Sequence, residues 1–249
     1  IPPSNVTGTT ALSGGTIADV GYSVITLRGV CWDTIPNPTT DLVTKTVQPV
    51  SDSGIGNYYS SMTGLNPGKK YYVRAYAVNG AGTAYGNLDS LTTLNYPKVR
   101  TIDAAAFNND TGVGGGEVLS DGGAEVVERG VCWDTAENPT VNSYHTINGS
   151  GLGLFYSTLT GLTANVTYHM RAYARNSVGV AYGDDMTFII IPEAPTIITL
   201  DITDITSISA ISGGDITSNG GASITKRGIV WSTKGDPLSD PSQVITDDG

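Results

Sequence analysis

One seven-residue string occurs three times in this 249-residue chain, and no other feature limits the possible folds as much. Arg28-Gly29-Val30-Cys31-Trp32-Asp33-Thr34 returns as Arg129-Gly130-Val131-Cys132-Trp133-Asp134-Thr135. It returns again, edited, as Arg227-Gly228-Ile229-Val230-Trp231-Ser232-Thr233. Successive copies lie 101 and 98 residues apart. A second marker keeps the period: Tyr71-Tyr72-Val73-Arg74-Ala75-Tyr76-Ala77 returns as Tyr168-His169-Met170-Arg171-Ala172-Tyr173-Ala174, with Arg171 97 positions after Arg74. Self-similarity at a fixed period means one folding unit used repeatedly.

Each repeat reads as a run of short strands. A Gly-Gly signature comes first, at Gly14-Gly15, Gly115-Gly116 and Gly213-Gly214. A turn follows, at Asp19-Val20-Gly21, Asp121-Gly122-Gly123 and Asn219-Gly220-Gly221, and Asp/Asn-Gly punctuation between apolar runs is a hairpin signal. The shared string makes the next strand, which stops at Asn37-Pro38 or Asn138-Pro139 because proline cannot donate to a ladder. The marker strands follow, and a last strand carries Ala84-Tyr85-Gly86 or Ala181-Tyr182-Gly183. About seven strands per repeat, with turns every 8–12 residues or so, is the pattern of an antiparallel β-sandwich. The scarcity of charge (14%), 32 glycines and 13 tyrosines against 3 phenylalanines suit strands and turns, and no stretch shows a capped helical period. Between markers the first repeat spans 46 residues and the second 42, so the extra residues are expected in a surface loop within residues 39–58.

Composition also excludes functions. A net charge of −10 is wrong for phosphate backbones and for anionic membrane faces, so no nucleic-acid partner is expected. No apolar run is long enough to span a bilayer, so this segment is not expected to insert. Cys31 and Cys132 share a slot that Val230 fills in the third repeat, which makes them small buried residues. His145 and His169 fall at unrelated positions, and no nucleophile elbow, zinc helix or phosphate loop is present. The expectation is therefore no catalytic residue, no metal ligand and no cofactor.

The stretch from Leu65-Asn66-Pro67-Gly68 through Tyr71-Tyr72-Val73-Arg74-Ala75-Tyr76-Ala77-Val78-Asn79 resembles the sixth-strand signature of fibronectin type III domains. The whole repeat is similar to the tandem fibronectin-III-like modules of secreted and cell-surface proteins in Bacteroidetes. That resemblance implies an all-β chain of tandem fibronectin-III/Ig-like antiparallel sandwiches. The repeats would span residues 1–94, 95–191 and 192–249, the first slightly and the third strongly truncated. Pro97 and Pro195 precede the last glycine of their Gly-Gly signatures by 19 residues, an offset the first repeat has no room for. The third repeat stops at Asp247-Asp248-Gly249, short of the strands that match residues 159–187. The expectation is a window on a longer repetitive chain, or another chain covering the open edge. The resemblance further implies a non-enzymatic extracellular or cell-surface structural protein (a stalk, adhesin or filament subunit). Its partners would be neighbouring repeats, copies of itself, glycans or surface proteins. The alternative is a carbohydrate-binding or spacer region of a secreted polysaccharide-degrading enzyme.

Three sets of candidate residues follow. Strand alternation places Arg74 with Tyr76, and Arg171 with Tyr173, on an outward face, where Trp32 and Trp133 would extend a cation–π ladder or sugar platform. Asn5, Asn109, Asn148 and Asn165 fit the N-glycosylation pattern. Thr34, Ser90 and Thr135 match the Asp-Ser/Thr-apolar O-glycosylation acceptor that the bacterial resemblance implies.

Overall fold

The computed structural model describes residues 1–108, 110–239 and 244–246. In the first repeat the strands are β1 (Ala11–Ile17), β2 (Leu27–Asp33), β3 (Gln48–Pro49), β4 (Gly56–Met62), β5 (Lys70–Asn79), β6 (Gly82–Tyr85) and β7 (Asp89–Thr92). The second holds β8 (Lys98–Asn108), β9 (Thr111–Ser120), β10 (Glu128–Asp134), β11 (Tyr144–His145), β12 (Gly153–Leu159), β13 (Thr167–Arg175), β14 (Val180–Tyr182) and β15 (Met186–Ile189). The last stretch contributes β16 (Thr196–Thr199), β17 (Gly214–Ser218), β18 (Val230–Trp231) and β19 (Val244–Ile245), with a single 3-10 turn at Pro237–Ser239.

The second repeat is a sandwich of two antiparallel sheets, ordered β8-β9-β12 and β11-β10-β13. β14 and β15 pair successive halves of β13, so together they form one broken edge strand. The first repeat has the same plan, with β1-β4 facing β3-β2-β5 and with β6 and β7 along β5. This is the fibronectin-III/Ig-like arrangement. Ahead of β1, Ser4 bridges Leu12, and the Ile1 ammonium donates to the Gly14 carbonyl at 3.2 Å. The third stretch supplies two separate strand pairs, β16-β17 and β18-β19. The extra residues fall where a loop was expected: 22 residues separate Asp33 from Gly56, and 18 separate Asp134 from Gly153.

The Gly-Gly signature exists because the sheets nearly touch. A Cβ on Gly15 would lie 2.8 Å from the Ala75 Cβ, and one on Gly116 would lie 2.3 Å from that of Ala172. Small residues on both sides bring the layers together, and larger ones fill the core beside them. In the second repeat Val131, Trp133, Leu159, Met170 and Phe188 belong to one continuous cluster, joined by Val99 of β8. In the first repeat the core is two clusters, one around Val30, Trp32, Met62 and Val73, the other around Ile17, Ile25 and Tyr58.

The shared string earns its glycine from a crossing segment. A Cβ on Gly29 would sit 2.1 Å from the Thr46 carbonyl oxygen, on Gly130 1.9 Å from that of Thr146, and on Gly228 1.9 Å from that of Thr246. Each threonine amide donates to the residue after the glycine, at 2.9, 2.8 and 2.9 Å. Each hydroxyl accepts from that residue's amide, at 3.0, 3.1 and 2.8 Å. The obstacle is backbone, so it cannot swing aside. Gly130→Ala is expected to destabilise the second repeat by about 3 kcal/mol, whereas Cys132→Val should cost less than about 1.5 kcal/mol because valine already serves at position 230. Denaturant unfolding of both variants measures the difference.

Candidate functional site

The face that β2 and β5 turn away from the core carries Arg74 and Tyr76, and the matching face of β10 and β13 carries Arg171 and Tyr173. In antiparallel pairing, residues directly opposite share a face. Gly29 faces Tyr76, Cys31 faces Arg74, and Trp32 faces Val73. The second repeat keeps the register, with Gly130 opposite Tyr173, Cys132 opposite Arg171 and Trp133 opposite Met170.

This register overturns the expected surface ladder. Trp32 and Trp133 share a face with Val73 and Met170, and so lie in the core, 5% and 4% exposed. Tyr76 and Tyr173 do point outward, but the crossing segment covers them, leaving 3% and 0% exposed. Their hydroxyls donate to the Thr46 and Thr146 carbonyls. The guanidinium groups instead stack on tyrosines one strand over: Arg74 lies 4.5 Å from the Tyr85 ring centroid and Arg171 4.7 Å from that of Tyr182. Since Tyr85 opposes Tyr76, it is the diagonal neighbour of Arg74. Each arginine Nε also donates to the next glycine carbonyl, Gly86 at 3.2 Å and Gly183 at 2.9 Å. Tyr85 in turn accepts from the Thr40 amide at 2.9 Å, and Tyr182 from the Val141 amide at 3.2 Å. The repeated Ala-Tyr-Gly was the signal for these tyrosines. The arrangement clamps the broken edge strand and the β2–β3 or β10–β11 loop onto the sheet.

The cysteines lie under the same loop. Cys31 is 3.4 Å from the Pro38 carbonyl and Cys132 3.3 Å from that of Pro139, and both thiols are free and fully buried. Burial raises the Cys31 pKa and pushes Cys132 up to about 11. Tyr58 is likewise pushed up to about 12 by burial, its hydroxyl 3.0 Å from the Gly29 and Tyr76 carbonyls. One polar cluster is peculiar to the second repeat. His169 Nδ1 lies 2.9 Å from Asp185 Oδ2, which accepts from the Asn138 amide at 2.9 Å. His145 lies elsewhere, exposed, beside the Ser143 carbonyl.

The acceptor positions scatter. Thr34 and Thr135 are exposed in the turns after β2 and β10, their amides donating to Asp33 and Asp134 at 2.6 and 2.7 Å. Hydrogen bonds from Ser143, Thr135 and Ala136 hold the Asp134 carboxyl below its usual range. Ser90 is exposed on β7. Asn5 and Asn165 are exposed at turns with φ of 48° and 62°. Asn148 is a correction: its amide nitrogen donates to the Tyr156 carbonyl at 2.7 Å and its oxygen accepts from Thr146, so the side chain holds the crossing segment. Asn109 lies outside the described residues. Among the described residues no group of three or more His, Cys, Asp or Glu converges as a metal site, and no helix is long and apolar enough to cross a membrane.

No protein-family model matches the chain. No curated protein matches it either. Among solved structures, the crystal structure of chicken CNTN1 FN1-FN3 domains is similar over 77% of this chain and 67% of that one, at 13% identity and a TM-score of 0.35. The class, tandem antiparallel β-sandwiches, rests on the strand pairing itself.

The buried thiol makes a pH prediction. An unfolded cysteine deprotonates near 9.0, the folded Cys132 only near 11. A raised folded pKa gives stability that is full below the unfolded value and lost as pH climbs to the folded one. The denaturation midpoint of the second repeat should therefore fall between pH 9 and 11, and Cys132→Val should flatten that fall. An unchanged alkaline slope in the variant would assign the loss to tyrosines instead.

Proposed function

We propose that the protein is a non-enzymatic, extracellular or cell-surface structural chain of β-sandwich units: a stalk, adhesin or filament subunit. Its units would be residues 1–94, 95–191 and 192–249, and its partners neighbouring repeats and copies of itself. The observation that carries this reading is the repeated joint. Ahead of the second repeat the Asn95 amide donates to the Gly122 carbonyl, and ahead of the third the Glu193 amide donates to the Gly220 carbonyl, both at 2.7 Å. At the first joint the Asn176 side chain clasps it, donating to the Asn95 and Asp121 carbonyls at 2.7 Å each. A linker seated the same way each time suits a string in which each repeat contacts its neighbours.

The recurring side chains support the reading too, because they are consumed by packing. Trp32, Tyr76, Trp133 and Tyr173, which a sugar platform needs at the surface, are interior. That removes the residue-level basis for the carbohydrate-binding alternative. Exposure of Thr34, Ser90, Thr135, Asn5 and Asn165 is compatible with a glycosylated surface.

Pulling the chain from its ends tests the structural reading. Two discrete unfolding events are expected for the first two repeats, each lengthening the chain by roughly 300 Å, as about 95 residues at up to 3.6 Å each allow. A single gradual extension at low force would argue against load-bearing units. Peptide mass spectrometry of protein from its native host should find sugar on Thr34 and Thr135 and none on Asn148.

A further inference from the structure

The chain passes from the first repeat to the second without a free residue. Leu94 is tied to the first repeat by both backbone groups. Its amide donates to the Thr7 carbonyl and its carbonyl accepts from the Gly68 amide, each at 3.1 Å. Asn95 is tied to the second repeat by both of its own. Its amide donates to the Gly122 carbonyl and its carbonyl accepts from the Asn176 side chain, each at 2.7 Å. The crossing is therefore a single peptide bond, which is planar and stiff. No residue stands between the two sets of bonds to supply a free pair of dihedrals.

Asn176 holds the second side of this joint. It is buried, at 4% exposed. Its amide nitrogen donates to the Asn95 and Asp121 carbonyls, and its oxygen accepts from the Val178 amide at 2.9 Å and the Gly179 amide at 3.2 Å. Both donor hydrogens and both lone pairs are thus in use. One carboxamide ties together the linker, the turn at Asp121 and its own turn. Side chains close the joint around it. Val178 lies over Gly8 of the first repeat, where a Cβ would sit 3.0 Å from its Cγ1 and 3.2 Å from its Cγ2. The next nearest atom, the Leu94 carbonyl oxygen, is at an ordinary 3.6 Å. Gly8 is buried and its φ is not positive, so the neighbouring repeat is what bars a side chain there. The Leu94 side chain reaches the other way, 3.4 Å from where a Cβ on Gly123 would lie.

We infer that the first two repeats form one body held at a fixed angle, with Asn176 positioning the second repeat on the linker and Gly8 seating Val178. Each repeat keeps its own core, so the pair resists bending while its members still unfold separately. This deepens the structural reading above and rests on it: a stalk with a fixed angle between neighbours transmits direction as well as load.

Nitroxide labels on Ser61→Cys and Thr158→Cys, exposed positions on the two repeats, report the angle in the full chain. Cys31 and Cys132 are buried and stay unlabelled. Double electron–electron resonance should give one narrow distance peak. Asn176→Asp keeps the shape and the acceptor for Val178 and Gly179 but loses both donors, and the peak should broaden. Gly8→Leu, which lies outside the second repeat, should broaden it too by wedging Val178 away. Asn79→Asp is the control. Asn79 makes the matching bonds inside the first repeat, to the Val20 carbonyl at 3.0 Å and from the Ala81 amide at 2.9 Å, so the peak should stay narrow. Near-ultraviolet circular dichroism, which reads the buried Trp32 and Trp133, should be unchanged in every variant. If Asn176→Asp unfolds the second repeat, Gly8→Leu decides. A broad distribution in the labelled chain without further substitution overturns the fixed angle and leaves the string to the pulling experiment. A peak that stays narrow in both Asn176→Asp and Gly8→Leu overturns the roles given to these residues.

Discussion

Everything on the outer face of each repeat depends on one backbone crossing. The carbonyls of Thr46, Thr146 and Thr246 pass so close over Gly29, Gly130 and Gly228 that no side chain fits beneath them. The threonine then satisfies the neighbouring residue twice, through its amide and its hydroxyl, so the approach leaves no polar group stranded. Once the segment is pinned there, Tyr76 or Tyr173 caps the threonine carbonyl, and the loop that precedes it covers Cys31 or Cys132. The outward face of a two-layer fold is ordinarily its wet side. Here it becomes a second, shallow interior.

That explains why the shared string is so invariant between its first two copies. Glycine, cysteine and tyrosine line this shallow interior, while valine and tryptophan line the deep one, so alternate residues of the strand are constrained on both sides. The arginine that ends up nearest the surface, Arg74 or Arg171, is held by a tyrosine face and a glycine carbonyl. What differs between the repeats lies outside this frame. Where the second repeat has His169 and Asp185, the first has Tyr72 and Leu88, which cannot form that ion pair. Phe155 replaces Tyr58, whose hydroxyl reaches the Gly29 and Tyr76 carbonyls.

The fold was legible because its signals are local. Asp-Gly and Asn-Pro turns, and a period near 100 residues, set the number and direction of strands before any contact is known. Face assignment on β5 was legible too, since Tyr71 and Val73 alternate with Tyr72 and Arg74. The position of Trp32 was not, because it depends on the register between β2 and β5, and a shift of one residue moves a side chain to the opposite face. The burial of Tyr76 was hidden for a different reason. It depends on a segment some thirty residues earlier in sequence crossing overhead, and a threonine in a loop carries no mark that it will do so. Asn148 fits a glycosylation pattern by composition alone; its real partners are Tyr156 of β12 and Thr146 of its own crossing segment.

The spacing of the layers sets what seals each sandwich. Gly15 against Ala75, and Gly116 against Ala172, let the sheets approach too closely for bulky side chains to bridge them at that end. The seam there must be closed by backbone, and in the second repeat the leading half of β8 closes it, its threonine bonded to the opposing sheet. Val99 of β8 joins the one continuous cluster of the second repeat, whereas the core of the first repeat is two clusters. In the second repeat a sandwich built on small residues at one end is therefore completed by backbone, and β8 is the strand that completes it.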